Sequence, residues 1–377
     1  MNTYQGLFYL LAGFSSFVIL ALSFRVIASR KKLHETNSTK DKKWFFKENL
    51  SIVDIIQESH DVKTFRFKRE NQEAFSFFAP GQFLSFQIGE DEKCLRSYSI
   101  SGSCENTSTL QVSIKKIKDG MGSGWFHSLS VGDTVKAFPP GGHFTDDKLS
   151  NEKTRIYVGG GIGITPLISM IKTGIDRSRG SKMILFYGMA SVKDLVFHAE
   201  LLNLSNSYDY FDYYPILSPG AESWSGDLGF INYEYIISKV DLTKNEDFYF
   251  CGPPVMTEGI VETLLGIGFS EDQLHSEKFA SPTAFDVSKV DTVNVKINVD
   301  GQDLDYSGKE TILEFLENQN IPISFACRSG VCGECKCKLI DGEVDSLTDS
   351  GLTSVEKKDN FILSCVSRPK TSIKLEI

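Results

Sequence analysis

Five of the eight cysteines in this 377-residue chain crowd one stretch near its C-terminal end: Cys327, Cys332, Cys335, Cys337 and Cys365. Cys327-Arg-Ser-Gly-Val-Cys332-Gly-Glu-Cys335, followed by Cys365 after twenty-nine intervening residues, has the C-x4-C-x2-C…C spacing whose thiolates wrap the two irons of a [2Fe–2S] cluster. Gly330 and Gly333 let such a loop fold closely enough to aim backbone N–H groups at the sulfurs. Structural zinc prefers two C-x2-C pairs, and only Cys332/Cys335 has that spacing here. Cys337 falls two residues beyond Cys335 on an expected strand, which makes it a small buried residue rather than a fifth ligand. Clustered free thiols in a long chain imply a reducing compartment.

Two further groups of residues suit phosphate and redox chemistry. Val158-Gly-Gly-Gly-Ile-Gly-Ile-Thr-Pro166 follows a strand and opens a helix. Gly159, Gly160, Gly161 and Gly163 allow a pyrophosphate to approach the backbone at the helix N-terminus, where free N–H groups and the dipole favour anions. Phe250-Cys251-Gly-Pro-Pro254 closes a later strand of the same sheet. The loop departs from the G-x-G-x-x-G pattern, and no acidic residue follows about twenty positions on. Upstream, Arg96-Ser-Tyr-Ser-Ile100 ends a strand, and Gly120-Met-Gly-Ser123 follows at a turn. Arginine reads phosphate bidentately, and turn amides with a hydroxyl form an anion cradle.

The pattern around these residues fixes the elements that must hold them. Short alternating runs at Ser51–Ile56, Val62–Lys68, Phe83–Ile88, Leu110–Ile117 and Thr134–Phe138, broken by Gly, Pro, Asn and Asp, predict an antiparallel β-barrel. Beyond residue 150 strands at Arg155–Val158, Met183–Tyr187, Tyr213–Leu217 and Asp247–Phe250 alternate with helical stretches at Leu167–Ile175 and Leu195–Leu204, the signature of an α/β domain with a parallel sheet. From Thr292 alternation returns, followed by a helix at Ile312–Asn318 and the cysteine loop. The net charge of −9 excludes a nucleic-acid partner. The six histidines show no HxH or HxxH spacing, so the chain lacks haem or di-iron sites of its own and is not a complete oxygenase.

Nineteen uncharged residues run from Gly6 to Phe24, long enough as a helix for a single N-terminal membrane span. Eight basic residues between Arg25 and Lys47 predict a cytoplasmic flank. The expected order is a transmembrane helix at 1–28, a basic linker at 29–45, a β-barrel at 46–150, an α/β domain with the phosphate-binding loop at 151–280, a linker at 281–291 and an iron–sulfur domain at 292–377. That arrangement predicts a single-pass protein of the inner (cytoplasmic) membrane with its catalytic domains in the cytoplasm.

Residues 292–377 resemble plant-type ferredoxins, which implies an α+β (β-grasp) fold ligating the cluster through Cys327, Cys332, Cys335 and Cys365. GGxGxTP combined with CGPP resembles the pyridine-nucleotide domain of the ferredoxin–NADP⁺ reductase superfamily, and RSYS before it resembles that family's RxYS flavin signature. Over 46–377 the chain is similar to reductases such as the phthalate dioxygenase reductase group and the hybrid-cluster protein reductases. The resemblance implies FAD, rather than FMN, held by Arg96, Ser97, Tyr98, Ser99, Gly120, Gly122 and Ser123. Arg96 would pair with a phosphate, Tyr98 pack on the ring system and Ser99 offer its hydroxyl to N5. It implies a nicotinamide dinucleotide on Gly159, Gly160, Gly161, Gly163, Thr165, Pro166, Cys251, Gly252 and Pro253, with Ser99, Thr165 and Cys251 as the catalytic set. NADH is expected over NADPH, because Tyr187–Ser191 and Leu217–Pro219 offer no Arg for a 2′-phosphate. A hydride then passes to the flavin, and single electrons leave through the cluster to an acceptor protein. With an anchor in place, the expected acceptor is a membrane-bound di-iron desaturase or hydroxylase. The alternatives are a soluble hybrid-cluster protein, or an electron-relay and docking protein that no longer turns over.

Overall fold

The computed structural model describes residues 47–377 except 91–93, 147–152, 179, 222, 280–291, 326, 332, 350 and 353. Among these, six strands make the first domain: β1 (Glu48–Gln57), β2 (Val62–Arg69), β3 (Phe83–Gln87), β4 (Leu95–Ser99), β5 (Leu110–Lys115) and β6 (Thr134–Ala137). They pair antiparallel in the order β4-β3-β6-β1-β2-β5. A bridge between Ile100, just past β4, and Val112 of β5 brings the two outer strands together, so the sheet curls into the expected barrel. Phe65, Phe67, Phe86 and Phe126 fill its interior. In this domain the sequence reading misses one helix: Gly120–Ser123 does not form a simple turn but opens helix α1 (Met121–Ser128). Gly122 and Gly124, poor helix formers, conceal it.

The second domain is a six-stranded parallel sheet in the order β10-β9-β8-β7-β11-β12. Its strands are β7 (Thr154–Gly160), β8 (Met183–Met189), β9 (Phe211–Leu217), β10 (Asp227–Leu228), β11 (Glu246–Cys251) and β12 (Leu274–Glu277). Helices α2 (Ile164–Asp176), α3 (His198–Ser207), α4 (Tyr233–Ile237) and α5 (Pro254–Gly266) connect them. The central strands β7, β8 and β11 are buried on both faces under two separate apolar layers, whereas β10 at one edge is exposed. Strand order reverses between β7 and β11, and at such a switch point a crevice opens at the carboxyl ends of the strands.

The third domain is a mixed sheet of β13 (Val293–Val299), β14 (Gln302–Gly308), β15 (Lys336–Asp341), β17 (Phe361–Leu363) and β19 (Ile373–Glu376). A ribbon of β16 (Val344–Ser346) and β18 (Ser367–Pro369) accompanies it. Helix α6 (Ile312–Asn318) begins with a capping box, Thr311 and Glu314 each bonding to the other's backbone N–H, and buries Ile312, Phe315 and Leu316 on the sheet. The short helix α7 (Ser354–Lys358) completes the α+β unit.

The expected transmembrane part of the fold requires correction. No helix among the described residues is long and apolar enough to cross a membrane. The longest, α2 and α5, have 13 residues each; at ~1.5 Å per residue they reach about 20 Å, short of the ~30 Å hydrocarbon layer. A transmembrane helix and a single-pass membrane localisation are therefore not supported, and the fold is the barrel, the α/β domain and the ferredoxin-like domain. The stretch 1–28 that suggested an anchor, like the linkers 29–45 and 281–291, lies outside the described residues.

Candidate functional site

Register alone places much of the site. Gly159 on β7 pairs with Cys251 on β11, and Cys251 pairs with Glu277 on β12. Three parallel strands thus end in one row, with the glycine loop, the cysteine and a carboxylate side by side at the carboxyl edge. The two loops leaving β7 and β11 touch backbone to backbone. A Cβ on Gly163 would lie 2.1 Å from the Cys251 carbonyl oxygen, and one on Gly252 would lie 2.9 Å from Gly160 N. Gly161 has φ +59 and open space around its Cα, so that stretch of backbone is presented outward at the start of α2. Thr165 is buried with its hydroxyl donating to the Ile162 carbonyl at 3.0 Å, while Pro166 continues the first turn of the helix. Pro253 caps α5 from the other loop.

Strand β4 faces this row from the barrel. Alternation sends Leu95, Ser97 and Ser99 to one side and Arg96 and Tyr98 to the other. Ser99 Oγ donates to Glu277 Oε2 at 3.5 Å, a contact between the barrel and the nucleotide sheet. Burial pushes the Glu277 carboxyl up to about 8, with the Ser99 hydrogen bond opposing it. Cys251 is fully buried, and burial followed by the neighbouring Glu277 charge holds its thiol well above the ordinary range, hence protonated. Tyr98 packs edge-on against Phe126 at 5.2 Å and against Phe86; burial raises its phenol. Gly122 of α1 comes so close that a Cβ there would meet Arg96 Cγ at 2.6 Å and Tyr98 Oη at 2.8 Å. The Arg96 guanidinium donates to the Leu95 carbonyl at 2.7 Å and, among the described residues, meets no carboxylate.

Two expected hydroxyls are otherwise engaged. Ser123 Oγ accepts from the Ile117 amide and donates to the Gly120 carbonyl, holding the loop before α1 in shape. Ser97 Oγ pairs with Ser85 Oγ at 2.8 Å. An open groove lined by Lys116, Lys118, Gly120, Met121 and Trp125 leads away from the start of α1, a polar and aromatic surface suited to the far end of a dinucleotide.

In the third domain Cys327, Cys335 and Cys365 are all buried, and the Cys335 and Cys365 thiols hydrogen-bond to one another. That bond favours the thiolate of Cys335 and, with burial, raises Cys365. The fourth expected ligand, Cys332, lies outside the described residues. The Ser329 amide donates to Cys327 Sγ at 3.4 Å, and the Gly330 amide is bonded to the Cys365 sulfur. Arg328, Gly330 and Gly333 all have positive φ, and a Cβ on Gly330 would strike Thr348 at 2.6 Å and Val366 at 2.8 Å. Converging buried thiols with amides aimed at them are the donor set an iron–sulfur cluster requires. Cys337 instead sits in the sheet core, where burial pushes its thiol up to about 12.

One cavity joins the three domains. Its walls are Phe83, Leu95, Arg96, Ser97 and Ser99 from the barrel, Glu277 to Phe279 from the end of the nucleotide domain, and Cys327, Ser329 and Val331 from the cysteine loop. Apolar Phe83, Leu95 and Val331 with the serines Ser97, Ser99 and Ser329 and the Arg96 guanidinium form a cradle suited to a flat, polar-edged group. Beside it the ferredoxin-like domain rests on the barrel, with Phe138 against Phe325 and a Cβ position on Gly333 at 3.5 Å from His143. Sequence reasoning missed Phe83, Glu277, Phe279 and Val331. The only signal for Glu277 was an isolated carboxylate closing a short strand after the CGPP helix.

Comparison with known proteins agrees with this partition. Residues 49–145 match the oxidoreductase FAD-binding domain, 157–262 the oxidoreductase NAD-binding domain, and 295–370 the 2Fe-2S iron-sulfur cluster binding domain. The chain is 29% identical over 350 residues to the glycine betaine monooxygenase reductase subunit of Chromohalobacter salexigens, covering 87% of this chain and 95% of that relative. It is 26% identical over 345 residues to the ferredoxin reductase component of the 3-ketosteroid-9-alpha-monooxygenase of Rhodococcus rhodochrous, covering 87% and 96%. The solved structure of phthalate dioxygenase reductase superposes with a TM-score of 0.61 at 24% identity, covering 88% of this chain and 98% of that one, which shows a shared fold.

Proposed function

We propose that this chain, an NADH-dependent oxidoreductase of the ferredoxin–NADP⁺ reductase superfamily with FAD-binding, NAD-binding and C-terminal [2Fe–2S] domains, supplies electrons to a separate oxygenase component. The observation that supports this reading is the cavity shared by Ser99, Glu277 and Cys327, because a flavin edge at Ser99 would share one space with the cysteine loop. FAD and the cluster, when bound, supply the two-electron to one-electron conversion. The protein's own residues bind, orient and exclude water. The Gly159–Gly163 loop takes the pyrophosphate of NADH at the start of α2, and Thr165 and Cys251 bound the nicotinamide end. The buried, protonated Cys251 presents a small neutral surface against which the nicotinamide end would pack. Arg96, held at the barrel end of the cavity, answers a flavin phosphate. Ser99 presents its hydroxyl at the reacting edge. Glu277, accepting from Ser99 and raised by burial to about 8, can hold or release the proton left when electrons depart singly.

The relatives named above are reductase components of two monooxygenases, and this favours an oxygenase acceptor over a hybrid-cluster protein. The six histidines carry no HxH or HxxH spacing, which supports oxygen chemistry on that partner, for which a di-iron centre is one suitable form. The reading is tested anaerobically with purified holoprotein: NADH should bleach the flavin and then reduce the cluster. Cys335→Ser should keep flavin bleaching and lose delivery to a one-electron protein acceptor. Loss of both in that variant, or no bleaching in the wild type, overturns it.

A further inference from the structure

One face of α2 carries a polar residue at every fourth position: Thr165, Ser169, Thr173 and, at its C-terminal cap, Arg177. Residues four apart share a helix face. Thr165, Ser169 and Thr173 are all but inaccessible to solvent, and buried hydroxyls persist only where they find partners. Ser169, Thr173 and Arg177 find theirs in order along the chain just beyond Ser99. Ser169 Oγ donates to the Gly102 carbonyl at 2.7 Å. Thr173 Oγ1 accepts from the Cys104 amide at 3.0 Å. Arg177 Nε pairs with Glu105 at 2.6 Å, and its Nη2 reaches Cys104 Sγ at 3.2 Å. The barrel grips the same segment from its other side, through Ser101 Oγ to Ser113 Oγ at 2.7 Å and Ser113 Oγ to Thr64 Oγ1 at 2.6 Å. An apolar seam would tolerate sliding, whereas directional bonds fix one register.

We propose that Ser169 and Thr173 are positioning residues for hydride transfer, locking the nicotinamide loop at the head of α2 in register with the flavin strand that ends at Ser99. The proposal rests on the placing of Ser99 and Thr165 at the reacting groups. Ser169 stands about one turn after Thr165, and Gly102 three residues after Ser99. A slip of one residue along the helix axis moves Thr165 by about 1.5 Å, and a misplacement of about 1 Å is enough to slow a transfer roughly a hundredfold.

The test uses the full-length FAD-loaded holoprotein and the double variant Ser169→Ala/Thr173→Val. At saturating NADH, stopped-flow bleaching of the flavin should slow by roughly tenfold or more per bound flavin. A smaller fall overturns the proposal. A purely structural role would lower the melting temperature and leave that saturated rate unchanged. Thr173→Ser, which keeps the hydroxyl, should restore the rate of Thr173→Val; failure to restore it also overturns the proposal. An independent readout is amide exchange at Cys104, which should be slow in the wild type and accelerate in Thr173→Val. Should the double variant not fold, wild-type exchange at Cys104 as fast as in the neighbouring 106–109 loop refutes the fixed register. A wild type that NADH does not bleach sinks the hydride-transfer reading itself, and the positioning role with it; bleaching with an indifferent double variant sinks the positioning role alone.

Discussion

Gly163 tests the site most directly, because its side chain is missing where two loops meet. An added Cβ would sit 2.1 Å from the Cys251 carbonyl oxygen, 2.6 Å from that carbonyl carbon and 3.0 Å from Gly252 N. Ordinary contact begins near 3.4 Å, so Gly163→Ala must part the loops by about 1.3 Å (3.4 minus 2.1). All three atoms are backbone, so no flexible side chain can absorb the displacement. Overpacking of this kind costs about 1–3 kcal/mol of stability, which the paired β7 and β11 can bear while the fold persists. Function should suffer more. A shift above 1 Å between the pyrophosphate loop and the loop beyond Cys251 separates the two halves of the nicotinamide site, which corresponds to roughly a hundredfold loss in the transfer step. The assay is stopped-flow flavin bleaching by NADH, with cluster absorption and dithionite-reduced cluster signal as internal controls, because the cysteine loop is far from this contact in the chain. A variant that bleaches at the wild-type rate would show that the apposition of these loops does not position the nucleotide.

Arg96→Ala should weaken flavin retention roughly ten- to a hundredfold, the loss of a charge-assisted contact worth about 1.5–3 kcal/mol; flavin occupancy after dialysis measures it. Gly330→Ala forces a Cβ against Thr348 and Val366 at a residue with φ +74 and should deplete the cluster, read from visible absorption per polypeptide. Asp146→Ala should destabilise the protein by about 3–5 kcal/mol in urea, because it strips a buried carboxylate from Arg155 and from the Tyr157 hydroxyl 2.9 Å away. For Glu277 the sign follows from its raised pKa. The folded form binds its proton more tightly than the unfolded form, so its contribution to stability is fully present below about 4.5 and is lost as pH rises through about 8. In flavin-stripped protein, wild type should therefore lose stability relative to Glu277→Gln between those values, and parallel melting profiles would contradict the burial of that carboxylate.

The parts legible in sequence are those whose chemistry is local. Alternation marked barrel strands such as β2 and β6, whose burial alternates, and the spacing of Cys327 and Cys335 announced itself because a cluster loop must be short and glycine-rich. Helix α1 escaped because Gly122 and Gly124 depress helix propensity, and the reason for Gly122, close contact with Arg96 and Tyr98, lies in another strand. Part of the cavity wall escaped for the same reason. Phe83, Glu277 and Val331 come from three domains, and no local pattern ties them. The N-terminal apolar stretch invited a membrane reading on hydropathy alone, and the described fold contains no spanning helix to uphold it. The membrane character expected of the acceptor depended on that anchor and falls with it.

Chain order and site geometry explain one another. Because β12 pairs in register with β11, the residue beside Cys251 at the carboxyl edge has to be 277, the last of its strand. The backbone therefore leaves the nucleotide domain at the cavity itself, and Lys278 and Phe279 line it on the way out. A domain attached there begins its path next to the site it must serve. Among the described residues the cysteine loop and its flanks meet the barrel at Phe83, Phe138 and His143, which brings Cys327 to the cavity wall. Fusion at the barrel's N-terminal end would start instead at Glu48, at the head of a strand flanked by β2 and β6. The carboxylate of Glu277 and the route to the cluster thus share one cause, the parallel pairing of the last strand with the one that ends in Cys251.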